Sequence, residues 1–100
     1  MKINLTFDSK YNLSGYTNID PFPLPKENDT LLCHPENLDL IINDGEADEI
    51  IANMVLNHIE YKKIESCLNN WCKKLSHNGT LEIYYLDLID MARLIVTNQV

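Results

Sequence analysis

The fold class predicted by this sequence is an α/β domain, with a mainly parallel sheet of about five strands flanked by helices. Three observations predict it. The segment Ala47–Ile83, ADEIIANMVLNHIEYKKIESCLNNWCKKLSHNGTLEI, reads as a strand, a crossover helix, a glycine turn and a second strand. The opening run KINLTF alternates, with Ile3, Leu5 and Phe7 on one face, as a half-buried strand does. Strand signals precede a strand–helix–strand–helix order, the alternation expected of a layered sheet. The 100 residues make one domain, 1–100.

Lys2–Phe7 is the first predicted strand, and Asp8–Ser14 is polar and turn-like. Gly15–Asp20 (GYTNID) is a second short strand ending on an acid. Pro21, Pro23 and Pro25 then impose an extended connection, because each ring fixes φ and removes a donor. Thr30–Cys33 is a candidate third strand. Leu38–Ile42 reads either as one helical turn or as a loop with buried leucines.

Glu49–Met54 has apolar Ile50 and Ile51 on opposite faces, the pattern of a central strand covered by helices on both sides. Ile59–Leu75 is the clearest helix: Ile64, Cys67, Leu68, Trp71, Cys72 and Leu75 recur at helical spacing. Gly79 suits the left-handed position that stops it. Thr80–Leu86 is the next strand. Asp87 is then a good N-cap for a last helix, Leu88 to Val96, apolar nearly all round.

Composition narrows the function classes. Net charge is −7, and a negative surface repels phosphate backbones, so nucleic acid is not an expected partner. No stretch approaches the ~20 apolar residues that span a bilayer, and the N-terminus lacks the apolar core of a signal peptide. Cys33, Cys67 and Cys72 form no CxxC pair and read as free thiols in a reducing, cytoplasmic setting. His34, His58 and His77 have no zinc-ligand spacing. The acidic run Asp39, Asp44, Glu46, Asp48, Glu49 fails the EF-hand pattern, since Ile41 falls on a ligand position. There is no P-loop and no Gly-x-Ser-x-Gly elbow.

In parallel sheets of this kind ligands sit beyond the carboxyl ends of the strands. The order KINL…GYTNID…ADEIIANMVLNHI…LNNWCKKLSHNGTLEI…LD resembles the class I S-adenosylmethionine-dependent methyltransferases over nearly the whole chain. It is most similar to a small group with "GYxNxD" at the second strand, "aDEIxAxxVLEHI" at the fourth and "LKPGGxLxI" before the fifth. The resemblance implies a Rossmann-like core, an S-adenosylmethionine site and a set of cofactor-binding positions. Thr6 and Asp8 fall on the glycines of the family's first loop, with Phe7 between them. Asp20 falls on the acid that accepts bonds from the ribose hydroxyls, and Asn37 and Leu38 on the segment beside the adenine. Asn53 and Met54 fall on the end of the fourth strand. His58 falls on the His of "EHI", with Asn57 in place of its Glu. None of these is given a catalytic role.

Two departures matter. The family's loop needs glycines because the backbone must approach the cofactor closely; Thr6 and Asp8 add bulk, and Asp8 adds negative charge. The family's sheet also continues past its fifth strand with closing antiparallel strands, which this reading lacks. Thr80–Leu86 is then an unpaired edge, and that edge, or the last helix, is expected to form a homo-oligomer. The expected function is a degenerate methyltransferase relative acting as a binding or assembly module. The alternative is an active small S-adenosylmethionine-dependent methyltransferase of unknown acceptor, since methyl transfer needs mostly positioning.

Overall fold

The protein is described here by a computed structural model, which defines residues 1–7, 9–21, 30–86 and 91–99. It is an α/β fold with one mixed six-stranded sheet in the order β3-β2-β1-β4-β5-β6. The strands are β1 (Lys2–Leu5), β2 (Thr17–Asp20), β3 (Thr30–Leu32), β4 (Ala47–Asn53), β5 (Leu75–Leu86) and β6 (Met91–Thr97). All neighbouring pairs are parallel except β5–β6. The single α-helix among the described residues is α1 (Ile64–Lys74), the crossover between β4 and β5. Among the described residues no helix is long and apolar enough to cross a membrane.

The periodicity of α1 points Cys67 and Trp71 into the core, against Ile3, Leu5, Ile50, Ala52, Leu81 and Ile83 on one face of the sheet. The Trp71 indole donates to the Pro35 carbonyl at 2.9 Å. That bond ties α1 to the 3₁₀ turn Pro35–Leu40, which settles the open reading of Leu38–Ile42 as a turn rather than a loop. At the far end of α1 the buried Lys74 ammonium pairs with the exposed carboxylates of Asp39 and Asp44, and these bonds hold Asp39 below the usual carboxylate range.

The opposite face of the sheet is built differently. The structure places no α-helix on it among the described residues, so the expectation of helices on both sides of β4 is corrected. Instead the segment after β1, with a short 3₁₀ turn at Ser9–Tyr11, crosses this face and is fastened by side-chain amides. Asn53 Nδ2 donates to Asn4 Oδ1 at 2.6 Å, and Asn4 Nδ2 donates to Asn18 Oδ1 at 2.9 Å and to the Tyr11 carbonyl at 2.9 Å. Asn18 accepts from the Leu13 N–H at 2.9 Å and donates to its carbonyl at 3.1 Å. Tyr16 Oη donates to Glu49 at 2.6 Å, reaching across to β4. The parallel register sets Asn4 beside Asn18 and beside Ile51, so these groups share a face.

The C-terminal part departs most from expectation. No helix runs from Leu88 to Val96: Met91–Thr97 is β6, antiparallel to β5 from Leu86↔Met91 to Thr80↔Thr97. The Asp87 cap and residues 88–90 lie outside the described residues. The run Ile95-Val96-Thr97 is β-branched, and the edge of β5 offers it a full ladder of hydrogen bonds; pairing outweighs helix propensity there. Thr80–Leu86 is therefore not an unpaired edge, and the sheet does have a closing antiparallel strand.

The turn into the outer half of β5 is also corrected. Asn78, not Gly79, is the left-handed residue, at φ 63°. Gly79 is needed for space: a Cβ there would lie 2.9 Å from the Ser76 carbonyl oxygen and 3.0 Å from that of Ala47.

Two stability measurements check these accounts. In urea denaturation, Asn4→Ala is expected to cost about 2–3 kcal/mol, because it removes three hydrogen bonds at a fully buried position; Asn53→Ala, at the half-buried end of the amide chain, costs less. Gly79→Ala is expected to cost about 1–3 kcal/mol by forcing backbone apart, whereas Asn78→Gly leaves stability nearly unchanged.

Candidate functional site

Strand order reverses between β1 and β4, which makes the crevice at their carboxyl ends the ligand position of an open α/β sheet. A cleft of about 310 Å³ lies there, lined by Phe7, Lys10 and Tyr11 after β1, by Asn53 at the end of β4 and Met54, Asn57 and His58 after it, and by Leu86 at the end of β5. Its size is at the lower end of the roughly 300–1,000 Å³ typical of small-molecule sites.

Each wall follows from local structure. Met54 leaves β4 with φ 58°, a left-handed backbone rare for a side chain of this size, and its N–H is held by the Tyr84 carbonyl at 2.9 Å. The chain then closes a 3₁₀ turn, Leu56–His58, over the end of β5. Asn57 braces it there, donating to the Leu86 carbonyl at 3.3 Å and accepting from the Leu86 N–H at 3.2 Å. Asn53 is fixed by Asn4 from below, and Tyr11 is anchored through its carbonyl to the same Asn4.

Phe7 stands at the centre. Its ring stacks on His58, with centroids 4.5 Å apart and planes 21° apart, and meets His34 edge-on at 5.6 Å. The ring thus joins the end of β1 to the turn after β4 and to the residue that caps Pro35–Leu40, where His34 Nδ1 accepts from the Glu36 N–H at 3.2 Å. Aromatic contacts of this geometry add about 0.5–1.5 kcal/mol each beyond burial. The side chain at the middle position of the first loop thus forms part of the wall of the crevice.

The residues singled out from sequence divide into three groups. Asn53, Met54 and His58 come together in the cleft. Thr6 is fully buried beneath it, its N–H bonded to the Ile19 carbonyl at 3.0 Å. Asp20, at the end of β2, is 1% exposed, and its carbonyl accepts from the Cys33 N–H. Asn37 and Leu38 are elsewhere: Asn37 lines a separate groove with Asp39, Lys63 and Asn70, and Leu38 is a core residue. Asp8 lies outside the described residues.

Tyr11 was not signalled as a site residue. Tyr11 lies within the polar turn Asp8–Ser14, and its carbonyl, bonded by Asn4, holds it at the mouth.

The chemistry available is limited. Within the cleft, the Asn53 and Asn57 amides are already engaged by Asn4 and Leu86. Among the described residues no group of three His, Cys, Asp or Glu side chains is arranged to hold a metal ion. Of the cysteines, Cys67 is buried, and burial pushes its thiol up to about 12, helped by the charge of Glu36. It is an unreactive packing residue. The cleft offers shape, an aromatic floor and hydrogen-bonding edges, which suits holding a ligand more than transforming one.

Truncating the wedge tests this geometry: Phe7→Ala is expected to cost about 1–3 kcal/mol in thermal or urea unfolding, while Phe7→Tyr, which keeps the ring, costs little.

Comparison with known proteins returned no matching family model, no matching curated protein and no matching solved structure.

Proposed function

We propose that the chain is a methyltransferase-related binding module that has lost ordinary S-adenosylmethionine catalysis. The observation that carries this reading is the Phe7 ring, stacked on His58 at 4.5 Å in the crevice between β1 and β4. A cofactor bound in the family's manner needs that space and a loop backbone free of side chains. The sheet order and the parallel β1–β4 pair support the relationship; the Phe7 ring in the crevice wall and the glycine-free loop support the loss.

The second reading, an active small methyltransferase, draws on Asp20. It ends β2 where the resemblance expects the ribose-binding acid. At 1% exposure it meets a ribose only after its cover moves, and it stands apart from the residues that line the cleft.

Calorimetric titration of the folded protein with S-adenosylmethionine and with its demethylated product separates the two. No heat is expected from either at millimolar concentration. Binding at micromolar affinity by the unmodified chain sinks the module reading and restores the enzyme. The Thr6→Gly, Asp8→Gly double change probes the loop itself: gain of binding locates the loss there.

A further inference from the structure

The sheet ends on β6, and the outer edge of β6 meets no further strand among the described residues. We propose that this edge pairs with the same edge of a second copy, antiparallel and centred on Leu94, to form a symmetric dimer. The proposal does not rest on whether the cleft binds a cofactor.

An open edge carries a row of N–H and C=O groups that only another extended backbone can satisfy in full. Protected edges are short, bulged, or marked by proline or several charges. At the other margin β3 meets this description by length, with three residues. β6 does not: it pairs with β5 in unbroken register over seven residues, has no proline, and carries a single charge, Arg93.

The hydrogen-bonding phase of β6 fixes which groups face outward. Asn98, just past the strand, gives its N–H to the Gly79 carbonyl of β5 and accepts from the Asn78 N–H. Inward and outward groups alternate along an antiparallel strand, so Ala92, Leu94 and Val96 also bond inward. The outward backbone groups belong to Met91, Arg93, Ile95 and Thr97.

Pairing two copies about Leu94 sets Arg93 opposite the partner's Ile95, and Met91 opposite the partner's Thr97. Every outward N–H and C=O then meets an outward group of the partner. Leu94, 45% exposed, faces its own counterpart, and Ala92 faces the partner's Val96. This extends the apolar row that Leu81, Ile83 and Val96 already form on the helix-bearing side of the sheet.

Charge selects this register over its neighbour. Centring on Arg93 would set two guanidinium groups opposite each other, whereas centring on Leu94 sets each beside Ile95, which is 51% exposed. Each Arg93 keeps its own counter-ion, donating from Nε to Glu82 at 2.5 Å. An isologous contact of this kind closes at two copies and builds no filament.

Sedimentation velocity on the full chain at high micromolar concentration reads the dimer directly. The register is read by two changes at the exposed position 95, with folding confirmed by circular dichroism. Ile95→Lys places a like charge opposite the partner's Arg93 twice per dimer and is expected to weaken association about tenfold. Ile95→Glu places an opposite charge there and is expected to leave the dimer at least as tight. General self-repulsion predicts the reverse order, because the chain is already at −7. A wild-type monomer at high micromolar concentration overturns the proposal. So does a dimer indifferent to both changes, which would use another surface, or one weakened equally by both or tightened by lysine.

Discussion

The chain of amides Asn53–Asn4–Asn18 is the constraint on which the rest of this structure depends. It runs across three adjacent parallel strands, β4, β1 and β2, in side-chain bonds of 2.6 and 2.9 Å. In a doubly wound sheet the connection from β1 to β2 is a helix that buries an apolar stripe against the strands. Here it is a short segment with one 3₁₀ turn, too little to cover that face with hydrocarbon. The amides supply instead a set of directed bonds, each to a group that would otherwise be buried without a partner. They fasten the segment at Tyr11 and Leu13 and leave the strands parallel and in register.

This substitution makes the domain one-sided. The apolar core lies between the sheet and the layer formed by α1 and Pro35–Leu40, with Trp71 at its centre. The other face is held by polar groups: the amides, the Tyr16–Glu49 bond, and Glu82 bound by Tyr84 and Arg93. Those two donors keep Glu82 ionised below the usual range, the Tyr84 hydroxyl contributing most. A core limited to one face offers less apolar burial than a full doubly wound fold. Polar networks whose members are all satisfied keep the second face ordered without adding much to that burial.

Sequence alone revealed the parts of this design that follow from periodicity. α1 was legible because six apolar residues recur at helical spacing, and β4 because Ile50 and Ile51 point both ways. The amide chain was not legible. In KINLTF and GYTNID the asparagines fall on the alternate positions, where a polar residue reads as the solvent face of a strand. Nothing local distinguishes an asparagine meeting water from one meeting another asparagine across a sheet. The last segment failed for the opposite reason: Leu88–Val96 is apolar enough for a helix or a strand, and pairing with the free edge of β5 decided it. At the cleft, Asn53, Met54 and His58 were found because they follow a strand end. Leu38 was assigned to the site by resemblance alone; in the fold it is a core residue.

The Phe7 ring links these themes. It follows β1 directly, and it touches His58 after β4 and His34 before Pro35–Leu40, so it closes the strand ends against each other from above as Asn4 does from below. The ring gives the strand ends cohesion without a ligand, while the cleft of about 310 Å³ that it lines stays open. Removing the ring would widen the cleft and also break the link that joins three connections. The first turn and the scaffold are therefore coupled: the ring that lines the cleft is also packing that holds the strand ends together, in a domain whose core lies on one face of its sheet.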